Sequence, residues 1–195
     1  DKILDQEGLS TNLDAMFTRM NIFDNDIELM LNRFVSPLSS SMAVSYYRYY
    51  IMDTIMVDGT SCIDLAFVPV NSQSYGFTGH LYVVNDSSYA LKKYAINVPP
   101  HINMNFVSDL SIEQEFERLP SGEWTPKELH NYVRFYLFKK MRQVYAHQTV
   151  SYNDYQLGAT PPDTLFQGMN ADMVEARNAR QYTHNQWTQM RPQPL

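Results

Sequence analysis

The sequence predicts an α+β domain. We expect N-terminal helices packed on a curled antiparallel meander of about six strands, a half-barrel, followed by an irregular C-terminal segment with a short helix. Apolar residues recur with helical spacing in the first third of the chain and alternate with period two from residue 45. The 14 Tyr and 10 Phe, beside only 7 Gly, also favour strands.

Two helices are predicted before residue 40 by apolar side chains with i, i+3, i+4, i+7 spacing. The first would bury Leu13, Met16, Phe17 and Met20. The second, in the stretch NIFDNDIELMLNRFVSP, would bury Ile27, Met30, Leu31 and Phe34. Asn25 and Glu28 have capping-box spacing, and Ser36-Pro37 would end this second helix.

The meander is predicted from alternating segments separated by turn signals. Asp58-Gly59 lies between the alternating segments 45–57 and 61–70, and Asp-Gly is a strong hairpin signal. A second hairpin spans residues 76–100, and two further strands lie at 110–119 and from Trp124 onward. The stretch NYVRFYLFKKMRQVYAHQ fits both a strand and a helix, and its alternating Val, Phe and Leu favour the strand.

The C-terminal part has a weaker pattern, so the predicted organisation is a domain over residues 1–150 and an extension over residues 151–195. The stretch NADMVEARNARQY is predicted to be a short helix capped by Asn170. The chain does not begin with Met and its start lacks a signal-peptide core, which suggests a processed product or an excised piece.

The charge and hydropathy of the sequence disfavour nucleic-acid binding and a lipid-embedded sheet. Lys and Arg total 15 against 21 Asp and Glu, a net charge of −6, which is unsuited to nucleic-acid binding. The sequence contains no run of 18 apolar residues, so no transmembrane helix is predicted. Glu113, Glu115 and Glu117 alternate on one face of a predicted strand, so the sheet is expected to face water rather than lipid.

The sequence contains no motif that predicts a catalytic residue, a cofactor site or a metal site. Cys62 is the only cysteine, lies within a predicted strand, and is expected to be a buried structural thiol. The five histidines, His80, His101, His130, His147 and His184, lack metal-ligand spacing. No phosphate-binding glycine motif occurs. A dispersed hydrolase site stays open, because catalytic residues need to meet only in space.

The inner face of the predicted sheet is apolar and permits two interpretations. It could line a cleft for a lipid or acyl chain, or it could be the core beneath the helices. The residues expected to line such a cleft are Phe67, Leu81, Val83, Ile112 and Phe116.

Several segments together carry a family resemblance: IFDNDIELMLNRFVSPLS, YYRYYIMDT, VDGTSCIDLAFVPVN, GFTGHLYVVNDSSYALKK and NVPPHINMNFVSDLSIEQEF, followed by GEWTP. The chain resembles the periplasmic region of a Bacteroides-type outer-membrane family of unknown function. Its members are often labelled carboxypeptidase-like regulatory domain-containing proteins. The stretch Gly79-His80-Leu81-Tyr82-Val83 is also locally similar to the LolA and LolB lipoprotein-carrier half-barrels.

The resemblance implies a location and a class of partner. The family has an immunoglobulin-like module before this region and an outer-membrane β-barrel after it, and the label implies no peptidase activity here. The main hypothesis is therefore a non-enzymatic periplasmic domain at the mouth of a β-barrel, contacting an envelope protein or its own barrel. The alternative is a carrier of an apolar ligand.

Overall fold

A computed structural model describes residues 20–29, 32–104, 107–137 and 142–158. By its internal contacts the chain divides into two compact units, Asp1–Tyr152 and Asn153–Leu195. All the described strands belong to the first unit. The predicted domain roles of the two parts stay predictions.

The described part of the chain is almost entirely β-structure. In chain order the elements are β1 (Asp26–Leu29), β2 (Asn32–Val35), α1 (Ala43–Tyr46), β3 (Tyr47–Val57), β4 (Thr60–Pro69), β5 (Thr78–Val84), β6 (Leu91–Asn97), β7 (Val107–Arg118), β8 (Trp124–Leu137) and β9 (Arg142–Ser151). Strands β1 and β2 form a two-stranded sheet, and β3 to β9 form a seven-stranded sheet in sequential order. Every neighbouring pair is antiparallel.

The α+β prediction is wrong for the residues that the structure describes. The predicted second helix is the β1–β2 hairpin, in which Leu29 pairs with Asn32. Ile27 and Leu29 are buried while Glu28 between them is exposed, which is the period-two burial of a strand. Arg33 forms an ion pair with Asp26 across the hairpin. The helical spacing was therefore coincidental, because short apolar runs can satisfy both periods.

The other two predicted helices lie mainly outside the described residues. The first involved Leu13, Met16 and Phe17, and of its apolar face only Met20 is described. The short helix from Asn170 is likewise outside them. Among the described residues, the four-residue α1 is the single helix.

The predicted strand order is confirmed and extended by one strand. The six expected strands correspond to β3 through β8, and the ambiguous stretch forms the end of β8 and the start of β9. At the turn between β3 and β4, Val57 pairs with Thr60. Asp58 and Gly59 both have positive φ, 46° and 74°, as a two-residue type I′ hairpin turn requires.

Alternation gives the seven-stranded sheet two unlike faces. The covered face carries the core, which includes Phe67, Leu81, Tyr94, Ile96, Leu110, Ile112, Phe116, Leu129 and Val133. The polar face carries the intervening residues, such as Asp64, His80, Lys93, Glu113 and His130. Burial of the covered face provides most of the favourable free energy of folding.

The β1–β2 hairpin and the segments on either side of it cover the apolar face. Phe34 stacks on Phe77 with ring centroids 4.9 Å apart, and Phe23 meets Phe116 edge-on at 5.9 Å. The side-chain carbonyl of Asn25 accepts hydrogen bonds from the backbone N–H of Ser40, at 3.1 Å, and from nearby hydroxyls. The strand pair β1–β2 therefore covers the apolar face, where the sequence predicted helices.

The sheet is strongly curled at the end where β3 turns into β4. Neighbouring strands are separated by about 4.8 Å, so β4 and β8 would lie about 19 Å apart in a flat sheet. Yet Asp58, in the β3–β4 turn, lies 3.0 Å from the ammonium group of Lys127 on β8. Lys127 also contacts Glu115 of the polar face, at 3.4 Å. The hairpin tip therefore bends over the polar face.

Candidate functional site

The residues predicted to line an apolar cleft lie in the core. Phe67, Leu81 and Ile112 are only 1–3% exposed, and Phe116 is 5% exposed. Val83 is half-buried and packs against the same cluster. The structure thus brings the five together, but beneath the β1–β2 hairpin rather than around an opening. Their proposed ligand-lining role stays a prediction.

A small depression lies at the end of the sheet near β6 and β7. Val98, Ile102, Met104 and Leu110 line it, with Pro99. Its volume of about 10 Å³ is roughly the space of one water molecule. This depression has no room for an acyl chain.

The polar face carries charge pairs that cross neighbouring strands. His80 on β5 places Nδ1 2.6 Å from the carboxylate of Asp64 on β4. Lys93 on β6 places Nζ 3.0 Å from Glu113 and 3.8 Å from Glu115, both on β7. These pairs join β4 to β5 and β6 to β7. Each contributes little by itself because its members are partly exposed.

A second ionic group lies where the β3–β4 turn meets the polar face. The hydrogen bond from Lys127, together with its charge, holds the pKa of Asp58 below its usual value. The same hydrogen bond raises the pKa of Lys127. Lys92 is buried and donates a hydrogen bond to the backbone carbonyl of Phe116 at 3.0 Å, with its Nζ 3.7 Å from Asp58.

Two histidines meet at the β8–β9 side of the polar face. Nδ1 of His130 lies 3.3 Å from Nε2 of His147 and 3.1 Å from Oγ1 of Thr149. The other ring nitrogen of His130 lies 3.4 Å from the carboxylate of Glu128. Tyr132 stacks on the ring of His147 with centroids 4.3 Å apart. This group brings two imidazoles, a hydroxyl and a carboxylate together on the polar face.

Strand β3 is an exposed sheet edge. It is the first strand in the order of the seven-stranded sheet, so no other described strand pairs with its outer side. Five consecutive residues, 50–54, are exposed, including Tyr50, Ile51 and Met52. Ile51 is 75% exposed and Met56 is 65% exposed. Long apolar edges of this kind are templates for pairing with another strand.

Cys62 lies buried in β4, as expected for a structural thiol. Burial raises its pKa, which disfavours the reactive thiolate. No group of three or more His, Cys, Asp or Glu residues suited to a metal occurs in the described ranges. Nor does any helix in these ranges have the length and hydropathy needed to cross a membrane.

Sequence reasoning missed both the histidine pair and the open edge. His130 and His147 are 17 residues apart, and only the register of β8 and β9 makes them neighbours. A signal was present, because His-x-Tyr and His-x-Thr occur in two adjacent alternating stretches. The edge depends on strand order, which the β3 segment does not reveal by itself.

Comparison with known proteins gives a family but no function. Residues 2–155 match the model of a family of unknown function, DUF5686. No curated protein matches the chain, and no solved structure matches it. The matched region covers most of the chain and contains every strand of both sheets. The chain belongs to the family of unknown function DUF5686.

Proposed function

We propose that this chain is a non-enzymatic assembly module that adds a partner strand to its β3 edge. The partner is an extended segment of an outer-membrane β-barrel protein, bound before the barrel closes. The observation that carries the proposal is the exposed, apolar edge of β3. The barrel belongs to the same polypeptide or to another envelope protein, and the crosslinked product below identifies which.

The length and composition of β3 support a barrel strand as the occupant. Transmembrane β-strands contain about 9–11 residues with alternating apolar side chains. Strand β3 contains 11 residues, and its charges are Arg48 and Asp53. An added strand would gain backbone hydrogen bonds along the edge, while the apolar side chains of one of its faces would lie beside Ile51.

The resemblance to the outer-membrane family supports the location of this module at the periplasmic face of the outer membrane. A barrel strand that has not yet paired carries unsatisfied backbone groups, which are costly to place in lipid. A temporary β-partner outside the membrane would satisfy those groups and prevent aggregation.

The alternative, a carrier of an apolar ligand, receives less support from the geometry. Four of the five predicted cleft residues are almost fully buried, so a ligand would have to displace the β1–β2 hairpin from them. Native mass spectrometry of the purified chain tests this alternative, because a carrier would retain lipid from the expression host.

Photo-crosslinking in the native envelope tests the assembly proposal. A photoreactive amino acid replaces Ile51 on the β3 edge, and a second variant carries it at Tyr145 on the β9 edge. Tyr145 is 59% exposed, which makes it a matched control at the opposite edge of the sheet. The proposal predicts that Ile51 crosslinks to an outer-membrane barrel segment and that Tyr145 does not.

Charge substitutions on β3 test whether pairing at this edge is needed for barrel assembly. Ile51→Lys and Met52→Lys place charges on the edge, which is how natural edge strands discourage pairing. The crosslinked product should decrease at least tenfold and barrel assembly should slow, whereas Tyr145→Lys should change neither. Equal crosslinking from both edges, or normal barrel assembly in the lysine variants, would disprove the proposal.

A further inference from the structure

We propose that His130, His147 and Thr149 form a binding site for a divalent transition-metal cation, Zn²⁺ or Cu²⁺, on the polar face. The site lies on β8 and β9, away from the β3 edge, and does not depend on the assembly function proposed above. Imidazole nitrogen suits both cations.

The three ligand atoms form a nearly equilateral triangle. The two imidazole nitrogens are 3.3 Å apart, and Oγ1 of Thr149 lies 3.1 Å from Nδ1 of His130 and 3.2 Å from Nε2 of His147. With metal–nitrogen bonds of about 2.0–2.1 Å, the nitrogen separation corresponds to an angle of about 105–110° at the metal. The triangle therefore has the size of one face of a coordination tetrahedron.

Glu128 orients the first of these ligands. Its carboxylate lies 3.4 Å from Nε2 of His130, on the side of the ring opposite to Nδ1. A proton on Nε2 leaves the lone pair of Nδ1 directed toward His147 and Thr149. Metal-bound histidines almost always have a carboxylate or carbonyl partner on the other ring nitrogen. His130 therefore has one ring nitrogen directed toward the metal position and a carboxylate beside the other.

The sheet holds the remaining ligands in place. His130 and Thr149 are directly opposite each other in the register of β8 and β9, and Tyr132 is opposite His147. The ring of Tyr132 stacks on that of His147 at an interplanar angle of 15°. Binding therefore requires little reorganisation of either strand.

The fourth coordination position faces solvent, since His147 and Thr149 are both exposed. A water molecule or a ligand from a partner can complete the tetrahedron there. A hydroxyl is a weaker ligand than a third imidazole or a thiolate, so we expect weaker binding than at a closed structural zinc site.

Calorimetric titration of the metal-free full chain with Zn²⁺, and separately with Cu²⁺, tests this site. The wild-type chain should bind one equivalent with an affinity that is lost at least tenfold in His147→Ala. Glu128→Gln should weaken binding about tenfold through loss of the orienting carboxylate. The matched control is His80→Ala, another histidine of the polar face with a carboxylate partner, which should leave the affinity unchanged.

A variant that binds the metal more tightly than wild type distinguishes the loss of a metal ligand from a folding defect. Thr149→His places a third imidazole beside the other two, so Zn²⁺ should bind at least about tenfold more tightly. Co²⁺ bound to this variant should show the intense visible absorption of tetrahedral coordination. The proposal is overturned if the wild type binds no metal, if His147→Ala binds as tightly as the wild type, or if Thr149→His brings no gain.

Discussion

The two faces of the seven-stranded sheet are built from alternate residues of the same strands, yet they have different roles. The covered face is apolar and packs beneath the β1–β2 hairpin, with Phe23 against Phe116 and Phe34 against Phe77. The polar face carries ion pairs, histidines and tyrosines. The covered face therefore stabilises the fold, whereas the candidate sites lie on the polar face and along the β3 edge.

The largest effect is expected from neighbouring substitutions on opposite faces of β7. Ile112→Ala should lower the free energy of unfolding by about 2–5 kcal/mol, because it removes buried methyl groups and leaves a cavity. Glu113→Ala should change it by less than about 1 kcal/mol, because its pairing with Lys93 is partly exposed. Urea unfolding followed by circular dichroism measures both. Similar losses in the two variants would contradict the division between the faces.

Gly79→Ala tests how closely β5 and β6 approach on the covered side. A Cβ atom at this position would lie 2.0 Å from the backbone carbonyl oxygen of Ala95, so the strands would have to separate. We expect a loss of about 1–3 kcal/mol, as for other overpacked sites. The adjacent His80→Ala, on the polar face, should cost less than about 1 kcal/mol. Equal thermal midpoints for wild type and Gly79→Ala would contradict this close contact.

Thr125→Val should have a smaller effect, in the stabilising direction. The hydroxyl of Thr125 is buried without a hydrogen-bond partner. Replacing an unsatisfied buried polar group with an apolar one of similar shape removes a desolvation cost, and we expect a gain of up to about 1 kcal/mol. Thr54→Val, at an exposed position of β3, is the control and should be neutral. Destabilisation by Thr125→Val would mean that the hydroxyl has a partner.

The smallest effect concerns the ion pair between the hairpin tip and the polar face. The pKa of Asp58 is lowered in the folded chain, so its stabilisation is present at neutral pH and lost as pH falls through that folded-state pKa. Asp58→Asn keeps a favourable turn residue but removes the charge. At pH 7 the variant should be less stable than wild type by under about 1 kcal/mol, because Asp58 and Lys127 are both partly exposed and the buried Lys92 keeps its hydrogen bond to the carbonyl of Phe116.

Unfolding experiments at several pH values and salt concentrations measure this difference. The two chains should converge in strong acid, and high salt should reduce the difference at pH 7. A constant difference across the acid range would show that Asp58 acts through the turn rather than through its charge.

The strands were predictable because their signal is local. Alternation identifies the six strands β3 to β8, and Asp58-Gly59 identifies a type I′ turn without reference to distant residues. The β1–β2 hairpin was not predictable in the same way. Its apolar residues fit a helix as well as a strand, and the segment between Leu29 and Asn32 contains no Gly, Pro or Asn to indicate a turn.

The sites depended on contacts that no local pattern contains. Phe67 and Phe116 were identified as apolar inner-face residues, but only the position of the β1–β2 hairpin decides whether that face is covered. His130 and His147 become neighbours through the register of β8 and β9. The composition predicted an acidic, aromatic sheet, but neither the hairpin over its apolar face nor the contact between the two histidines.

Local sequence specifies the alternation of apolar and polar side chains, the tight turn at Asp58-Gly59 and the order of the meander, because these depend on neighbours in the chain. The packing of the whole chain sets what covers the apolar face, how far the β3 edge is exposed, and which histidines meet. Those outcomes depend on the pairing and curling of strands far apart in sequence, where the free energy of the whole sheet outweighs the preference of any one segment.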